Sequence, residues 1–503
     1  MHPIASPRYA DWKAPAEDGG VLVWPEPDVL LRDTERNHRR LAAAESVRIQ
    51  GVALPELRRR LRAWVGHAGD GRPLVAMGHQ TELYHAGVWA KNALADAVAT
   101  RLGGRAVQFA VDTDEPKHLT LKWPGGAQPI TDDETPAEWA GLLAAPSPAH
   151  LARVGGVVSR AWAGWEFRPL LPEFLDSLRR LSPESPALPA ALTNAMHALD
   201  WSLGLRQHAM LFSPLCTSEP YLLFAWHVLS RAGDFANDYN AALSEYRREH
   251  KVRTPGRPMP DLKVSADECE VPFWLDSLAA GTRTRAAVLR RGDRWVLRAP
   301  APSGIELALR PEAASPAAAG ELAGWLGTHD LRLAPRALTL TTVLRLLLAD
   351  QFVHGIGGGR YDQVTDRLLE RHFGLEPPRF AVTTATLYFP QAVGRARVCL
   401  GCVLQEGHRL RHRVLGAEKD RLVEAIAAAP RRSLERSALF YEMHGRLAAA
   451  ADHPDVRRWE REYVEATRRG REEKELFDRE LFYAIQPRDR LERLAAEYRS
   501  RFG

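Results

Sequence analysis

The chain has 503 residues, 45% hydrophobic and 26% charged, and its net charge is 68 − 63 = +5. That length exceeds one ordinary core, so two or three domains, or one core with large insertions, are expected. The mild basic excess permits an anionic ligand but leaves no nucleic-acid footprint, four cysteines are too few for a secreted disulfide scaffold, and no apolar run of about 18 residues exists to cross a membrane.

The N-terminal stretch "MHPIASPRYADWK" lacks a basic-then-apolar leader pattern, and a reducing cytoplasm fits the cysteine usage best. Residues 1–70 read as an irregular arm with a short strand at "VLVWP", a charged helix, and an amphipathic helix at "LPELRRRLRAWVG". Residues 71–390 read as the core. There "PLVAMG" is a buried strand, "HAGVWAKNALADAVATRLGG" a helix closed by Gly-Gly, and "AVQFAVD" a second buried strand. Strand, loop, helix and strand make a βαβ unit, which favours a parallel, doubly wound sheet.

Residues 124–205, rich in Pro, Ala and Trp, read as a helical insertion, and a second insertion spans roughly 255–330. "HAMLFSP" returns to a buried strand, and "LLFAWHVLSRAGDFANDYNAALSEYRREH" is a long helical region. "RAAVLRRGDRWVLRAP" alternates around Gly-Asp as a β-hairpin does, and "FAVTTATLYFP" is a late strand. Residues 391–503 are highly charged and read as helices that could pair as a coiled coil and hold a homodimer. The expected class is therefore α/β, with a Rossmann-like parallel core, helical insertions and a C-terminal helical extension.

Three stretches carry chemistry. In "GHQTELYHAGVWAKN" a strand ends at Gly78 and a helix begins near His85, the place where parallel sheets bind ligands. His79 and Gln80 are expected on the loop, and Lys91 adds a positive charge to a helix N-terminus that favours anions. In "VDTDEPKH", Asp112 and Asp114 follow the next strand and are expected at the same crevice, to hold an amine or act as base. His79 is the acid–base candidate, because an imidazole titrates near neutral pH. Both stretches are also ordinary turn chemistry, and that reading stays open.

The third stretch is "FVHGIGGGRYDQVTD". Gly355, Gly357, Gly358 and Gly359 allow positive φ and close backbone approach, so a loop that cradles an anion is expected. Arg360 would pair with a phosphate or carboxylate, flanked by His354 and Tyr361. No metal site is predicted. The lone "CLGC" at 399–402 has no second pair for zinc and no βαβ strand before it for redox work. No Walker or GxGxxG loop occurs, so whether a nucleotide is the cofactor stays open.

"GGGRYD" alone is similar to the glycine-rich loop of histidyl-tRNA synthetases, but that likeness covers one hexapeptide and the flanking strands read as βαβ. A broader likeness is ordered along the chain. "VAMGHQTELYHAGVWAKN", "FAVDTDEPKHL" and "RALTLTTVLRLLLADQFVHGIGGGRYDQV" resemble, in turn, three segments of the bacillithiol biosynthesis cysteine-adding family. Gly78, Gln80, Gly87 and Lys91 fall on matching positions. The resemblance implies a Rossmann-like core, a helical coiled-coil dimer region, and a reaction joining the carboxyl of cysteine to the amine of a glucosamine–malate conjugate.

The departures concern charge. His79 stands where the family has Gln, Asp112-Thr113-Asp114 lacks the family's central His, and Gly358-Gly359-Arg360 replaces a Gly-Pro-Gly-Glu turn. Rewritten charges at a recognition point imply a different ligand, because an unpaired buried charge is costly. Three classes follow. One is an amide-forming ligase-like enzyme acting on a small anionic, amine-bearing substrate and cysteine. Another is a nucleotide-dependent enzyme of another reaction type, and the third is a non-catalytic metabolite binder.

Overall fold

The structure is a computed structural model that describes residues 12–67, 71–133, 136–254, 256–299, 305–309, 315–395 and 397–503. Part of the expected N-terminal arm lies outside these residues. In chain order the first elements are β1 (Val21–Trp24), α1 (Pro27–Ala42), β2 (Arg48–Ile49), β3 (Val52–Ala53) and α2 (Leu54–Trp64). Next come β4 (Leu74–Gln80), α3 (Ala86–Arg101), β5 (Arg105–Val111), β6 (Thr120–Trp123) and β7 (Gly126–Pro129). Helices α4 (Pro148–Trp162), α5 (Leu171–Leu181) and α6 (Leu188–Ser202) precede β8 (His208–Leu211), α7 (Glu219–Ser230) and α8 (Ala232–Glu249). The run then gives β9 (Glu268–Ser277), β10 (Thr282–Arg291), β11 (Arg294–Arg298), β12 (Glu306–Leu309), α9 (Ala318–Thr328) and β13 (Leu331–Pro335). It continues with α10 (Ala337–Leu347), β14 (Gln351–His354), α11 (Ile356–Phe373) and β15 (Phe380–Ala385). The last helices are α12 (Leu400–Ala428), α13 (Leu434–Ala449), α14 (Pro454–Leu476) and α15 (Arg488–Ser500).

The protein is α/β. Its main sheet runs β1-β15-β14-β4-β5-β8, and every neighbouring pair from β15 to β8 is parallel while β1 joins the edge antiparallel. The parallel part starts at its middle strand, β4, steps outward through β5 to β8, then returns to the other side of β4 and steps outward through β14 to β15. The expected βαβ unit is β4–α3–β5, paired in parallel from Leu74↔Arg105 to Gln80↔Val111. The second insertion is largely a separate antiparallel sheet, β12-β11-β10-β9-β13, and its β10–β11 hairpin is the one expected at Gly292-Asp293.

Alternation along the strands assigns the two faces. Leu74 and Ala76 of β4, with Val107 and Phe109 of β5 and Phe352 of β14, join a core shared with α2, α7, α8, α10 and α11. The opposite face carries α3. That helix is buried nearly all round, which its run of alanines favours, and the polar side chains buried with it, Lys91, Asn92 and Asp96, each find a partner. Gly87 opens α3 where nothing larger fits: a Cβ would lie 2.6 Å from Thr384 Oγ1 and 2.7 Å from the Ala385 carbonyl. The long helical region expected after residue 220 is two helices, α7 and α8, broken at Arg231.

The chain divides into two compact units. One holds both large sheets and includes residues 479–503, so α15 belongs with the core rather than with the C-terminal extension. The other is residues 123–125 and 388–478, in which α12, α13 and α14 pack on one another. There Trp459 donates to the Val403 carbonyl at 2.7 Å and seats its ring on Gly407, and α12 kinks at Gly416, where φ is 50°. Among the described residues no helix is long and apolar enough to cross a membrane.

Candidate functional site

Strand order reverses between β4 and β14, and the carboxyl ends of strands at such a reversal are the position where open parallel sheets take ligands. Val353 pairs with Met77, and beyond that pair the two strands part: His354 stays paired with β15, and Gly78, His79 and Gln80 stay paired with β5. All three β4 residues lie within the strand. His79 and Gln80 are its last two residues, not loop residues as the sequence implied, because β4 stays paired with β5 as far as Val111.

Lys91 sits on α3, 5% exposed, and donates its ammonium to the Gly78 carbonyl at 2.7 Å. Burial draws its pKa down to about 8, opposed by the Glu82 carboxylate. His79 Nε2 hydrogen-bonds to Glu82 Oε1, and its ring meets the Tyr84 ring edge-on at 5.6 Å. Burial first, and the Lys91 charge second, pull His79 down to about 4. It is therefore a neutral imidazole at pH 7 and does not titrate near neutrality as expected; Lys91 does. Glu82 is raised by burial, but the hydrogen bond from His79 and the nearby positive charges outweigh that and leave it below its ordinary value.

The two aspartates part company. Gln80 donates its amide to Asp114 Oδ2, which joins the ends of β4 and β5. Asp112 is buried and accepts from the backbone N–H of Ser213 at 2.8 Å and its hydroxyl at 2.5 Å, so it closes the turn after β8.

The glycine stretch is not a loop. Gly357, Gly358 and Gly359 form the first turn of α11, and none has positive φ. Two of them answer to packing: a Cβ on Gly359 would overlap Val382 Cγ2, and one on Gly358 would lie 2.9 Å from His354 Nδ1. Arg360 donates to the Trp12 carbonyl at 2.8 Å and Tyr361 is 41% exposed. His354 points to α11 and bonds Asp362 Oδ2 at 2.8 Å, inside a buried ion cluster with Arg345 and Asp366. What the stretch does offer is backbone. No side chain caps α11, and its first internal bond is Gly359 N–H to Gly355 O at 3.0 Å. The amides of Ile356, Gly357 and Gly358 thus open at the helix start, with both glycines exposed.

The structure therefore joins Lys91 to β4 and puts the bare start of α11 directly after β14, the strand paired with β4, and it assigns Asp112, His354 and Arg360 to other contacts. Sequence reading missed Glu82, which lies on the turn beside His79, and Arg345, a lone cation in the apolar run "TVLRLLLAD". It also missed Asp200. Burial raises that carboxyl to about 6, and Trp89, Asn92, Gln207 and Tyr483 donate to it beneath α3. Among the described residues no group of three or more His, Cys, Asp or Glu converges to hold a metal ion. A cavity of about 300 Å³ lies at the opposite, amino end of the sheet, where Arg58 and Arg62 are spent on Asp350 and the last carbonyls of α10. No family model matches the chain, and no curated protein matches it in sequence.

Proposed function

We propose that the protein is a ligase-like enzyme that forms a carbon–nitrogen bond on a Rossmann-like sheet. In this reading it is a divergent relative of the bacillithiol cysteine-adding family and acts on a small anionic metabolite that bears an amine. The observation that carries the proposal is the buried Lys91 ammonium at the end of β4, in the strand-order reversal that also holds the uncapped start of α11. A cation whose water has been removed and a row of open amides both bind an anion strongly. The three segments that carry the family resemblance contribute β4, β5 and β14, which are adjacent strands, and this supports reading them as one site.

The chemistry follows from the charges. Amide formation needs the acceptor nitrogen as a free base and a carbonyl whose oxygen can gain charge. Neutral His79 accepts a hydrogen bond from the incoming amine, and Glu82 stabilises the imidazolium that would form. Lys91 is among the causes that weaken His79 as a base. An anion bound to Lys91 offsets that charge, so ligand binding itself strengthens the base. Self-association through the helices of residues 388–478 belongs to the same reading, supported by the exposure of Leu434 (91%), Tyr441 (78%) and Val464 (68%).

The test is turnover. Protein is incubated with cysteine and the glucosamine–malate conjugate, with and without ATP and magnesium, and the cysteinyl amide is sought by mass spectrometry. Product from the native protein and none from folded Lys91→Met supports the proposal. Absence of product in every condition sinks it, and conjugate binding without turnover would leave a metabolite-binding protein.

A further inference from the structure

The four cysteines fall into two chemically distinct pairs. Cys216 and Cys269 are buried, and burial pushes their thiols up to about 12 and about 11. Cys399 and Cys402 are exposed and joined as a disulfide. Sequence reading gives this CxxC no redox role because no βαβ strand precedes it. The structure supplies a different setting with the same physics. Cys399 is the N-cap of α12, and its sulfur accepts the Cys402 backbone N–H at 3.2 Å. A sulfur at that position, once reduced, carries a thiolate stabilised by the open amides and dipole of the helix. Two residues earlier, Arg397 lays its guanidinium over the Tyr388 and Phe477 rings, and Glu473 accepts the Val398 N–H at 2.7 Å.

We infer that Cys399 and Cys402 form a thiol–disulfide exchange centre for low-molecular-weight thiols. Both residues are exposed, and the Cys402 N–H is a built-in donor to the Cys399 sulfur. In the first step a small thiolate attacks Cys399 Sγ; the protein S–S bond breaks, and Cys402 leaves as a thiolate and takes up a proton. In the second step another small thiolate attacks the small-molecule sulfur of the mixed disulfide, and Cys399 leaves, held by the Cys402 N–H. Two small thiols are oxidised to one disulfide, and the protein disulfide is reduced to two thiols, so atoms, protons and electrons balance. The two buried cysteines take no part.

The experiment uses the full chain in glutathione buffers of stepped reduced-to-oxidised ratio, quenched with acid and alkylated with iodoacetamide. Peptide mass spectrometry reads each cysteine. Cys399 and Cys402 are expected to become alkylated together as the ratio rises, with Cys216 and Cys269 protected until the protein is unfolded. Cys402→Ser is expected to trap glutathione on Cys399, because the resolving sulfur is gone. Reduction of the native pair to two thiols is expected about tenfold faster than exchange of the same thiol with glutathione disulfide, since Cys399, which leaves in the second step, is the stabilised thiolate and the better leaving group. Full alkylation without any reductant, failure of Cys402→Ser to form the mixed disulfide, or a reduction rate no greater than that of glutathione disulfide would each overturn the inference. No readout depends on turnover at the sheet.

Discussion

Lys91 donates to the carbonyl of Gly78, 13 residues earlier and 2.7 Å away, and so fastens the first buried turns of α3 to the end of the strand that precedes it. An ammonium so placed costs the fold more than it returns. Its pKa falls from 10.5 to about 8, which corresponds to roughly 3 kcal/mol against the charged form. The bond to the carbonyl returns about 1 kcal/mol. A group kept at such a cost is expected where function needs it.

Lys91→Met is accordingly expected to stabilise the fold by about 1–2 kcal/mol at pH 7 while abolishing binding of the anionic substrate. Between pH 8 and 10.5 the unfolded chain still holds the proton that folded Lys91 has released, so native stability rises through that window. The advantage of the variant should therefore shrink by pH 10. Urea denaturation at the two pH values measures this, and a variant less stable than the native protein at pH 7 contradicts it.

The glycines of α11 separate packing from binding. Gly357 is exposed, with open space where a methyl group would stand, whereas a methyl on Gly359 would overlap Val382. Gly357→Ala is expected to leave stability unchanged or raise it by up to about 1 kcal/mol, and Gly359→Ala to cost about 1–3 kcal/mol. If the first-turn amides hold the anion, Gly357→Ala also weakens ligand binding at unchanged stability. Calorimetric titration of the two variants beside thermal melts decides, and full affinity in Gly357→Ala would remove α11 from the site.

The sheet was legible because its strands are short apolar runs separated by a helix with clear ends, and period and length suffice for that. The site was legible only in its backbone. "GHQ" closes β4 and "GGG" opens α11, so a strand-end pattern places both stretches to within a few residues. Side-chain partners are set by tertiary contact. Arg360 looks like a phosphate ligand beside three glycines, yet its donor goes to the carbonyl of Trp12, 348 residues away. The glycines look like turn formers, yet two of them, Gly358 and Gly359, answer to the close approach of His354 and Val382. Charge values were equally hidden, since a histidine reads as a near-neutral base until its burial and the neighbouring Lys91 are known.

Acid should expose the buried histidines. Burial lowers His79 and His85 to about 4 and His227 to about 3, each from 6.5. Between pH 6.5 and 4 the unfolded chain binds protons that these rings refuse in the fold, so stability is complete above that window and is lost as pH falls through it. His227 stacks on Phe373 with centroids 5.7 Å apart, and His227→Phe keeps a ring there without the titration. Between pH 7 and 4.5 the variant should lose about 3 kcal/mol less than the native protein. Equal losses would show that His227 takes up its proton in the folded state.

Arg345 anchors α10 to α11 and is the most exacting position in the core. Its two terminal nitrogens reach Asp362 and Asp366 at 2.6 Å each, it also donates to the Pro378 carbonyl, and its guanidinium lies 5.1 Å from the centre of the Phe380 ring. His354 shares the same Asp362 oxygen. Asp362 is raised by burial but held below the ordinary carboxylate range by Arg345 and His354, so removing the arginine leaves a buried carboxylate without the first of these partners. Arg345→Met is expected to cost about 3–5 kcal/mol, the range for breaking one side of a buried pair. Adding Asp362→Asn removes the orphaned charge, so the double variant should recover at least about 1 kcal/mol of that loss rather than sum the two single costs. Denaturation of the three variants closes the cycle. Strict additivity would mean that the two side chains act separately and that packing, not charge, holds α10 to α11.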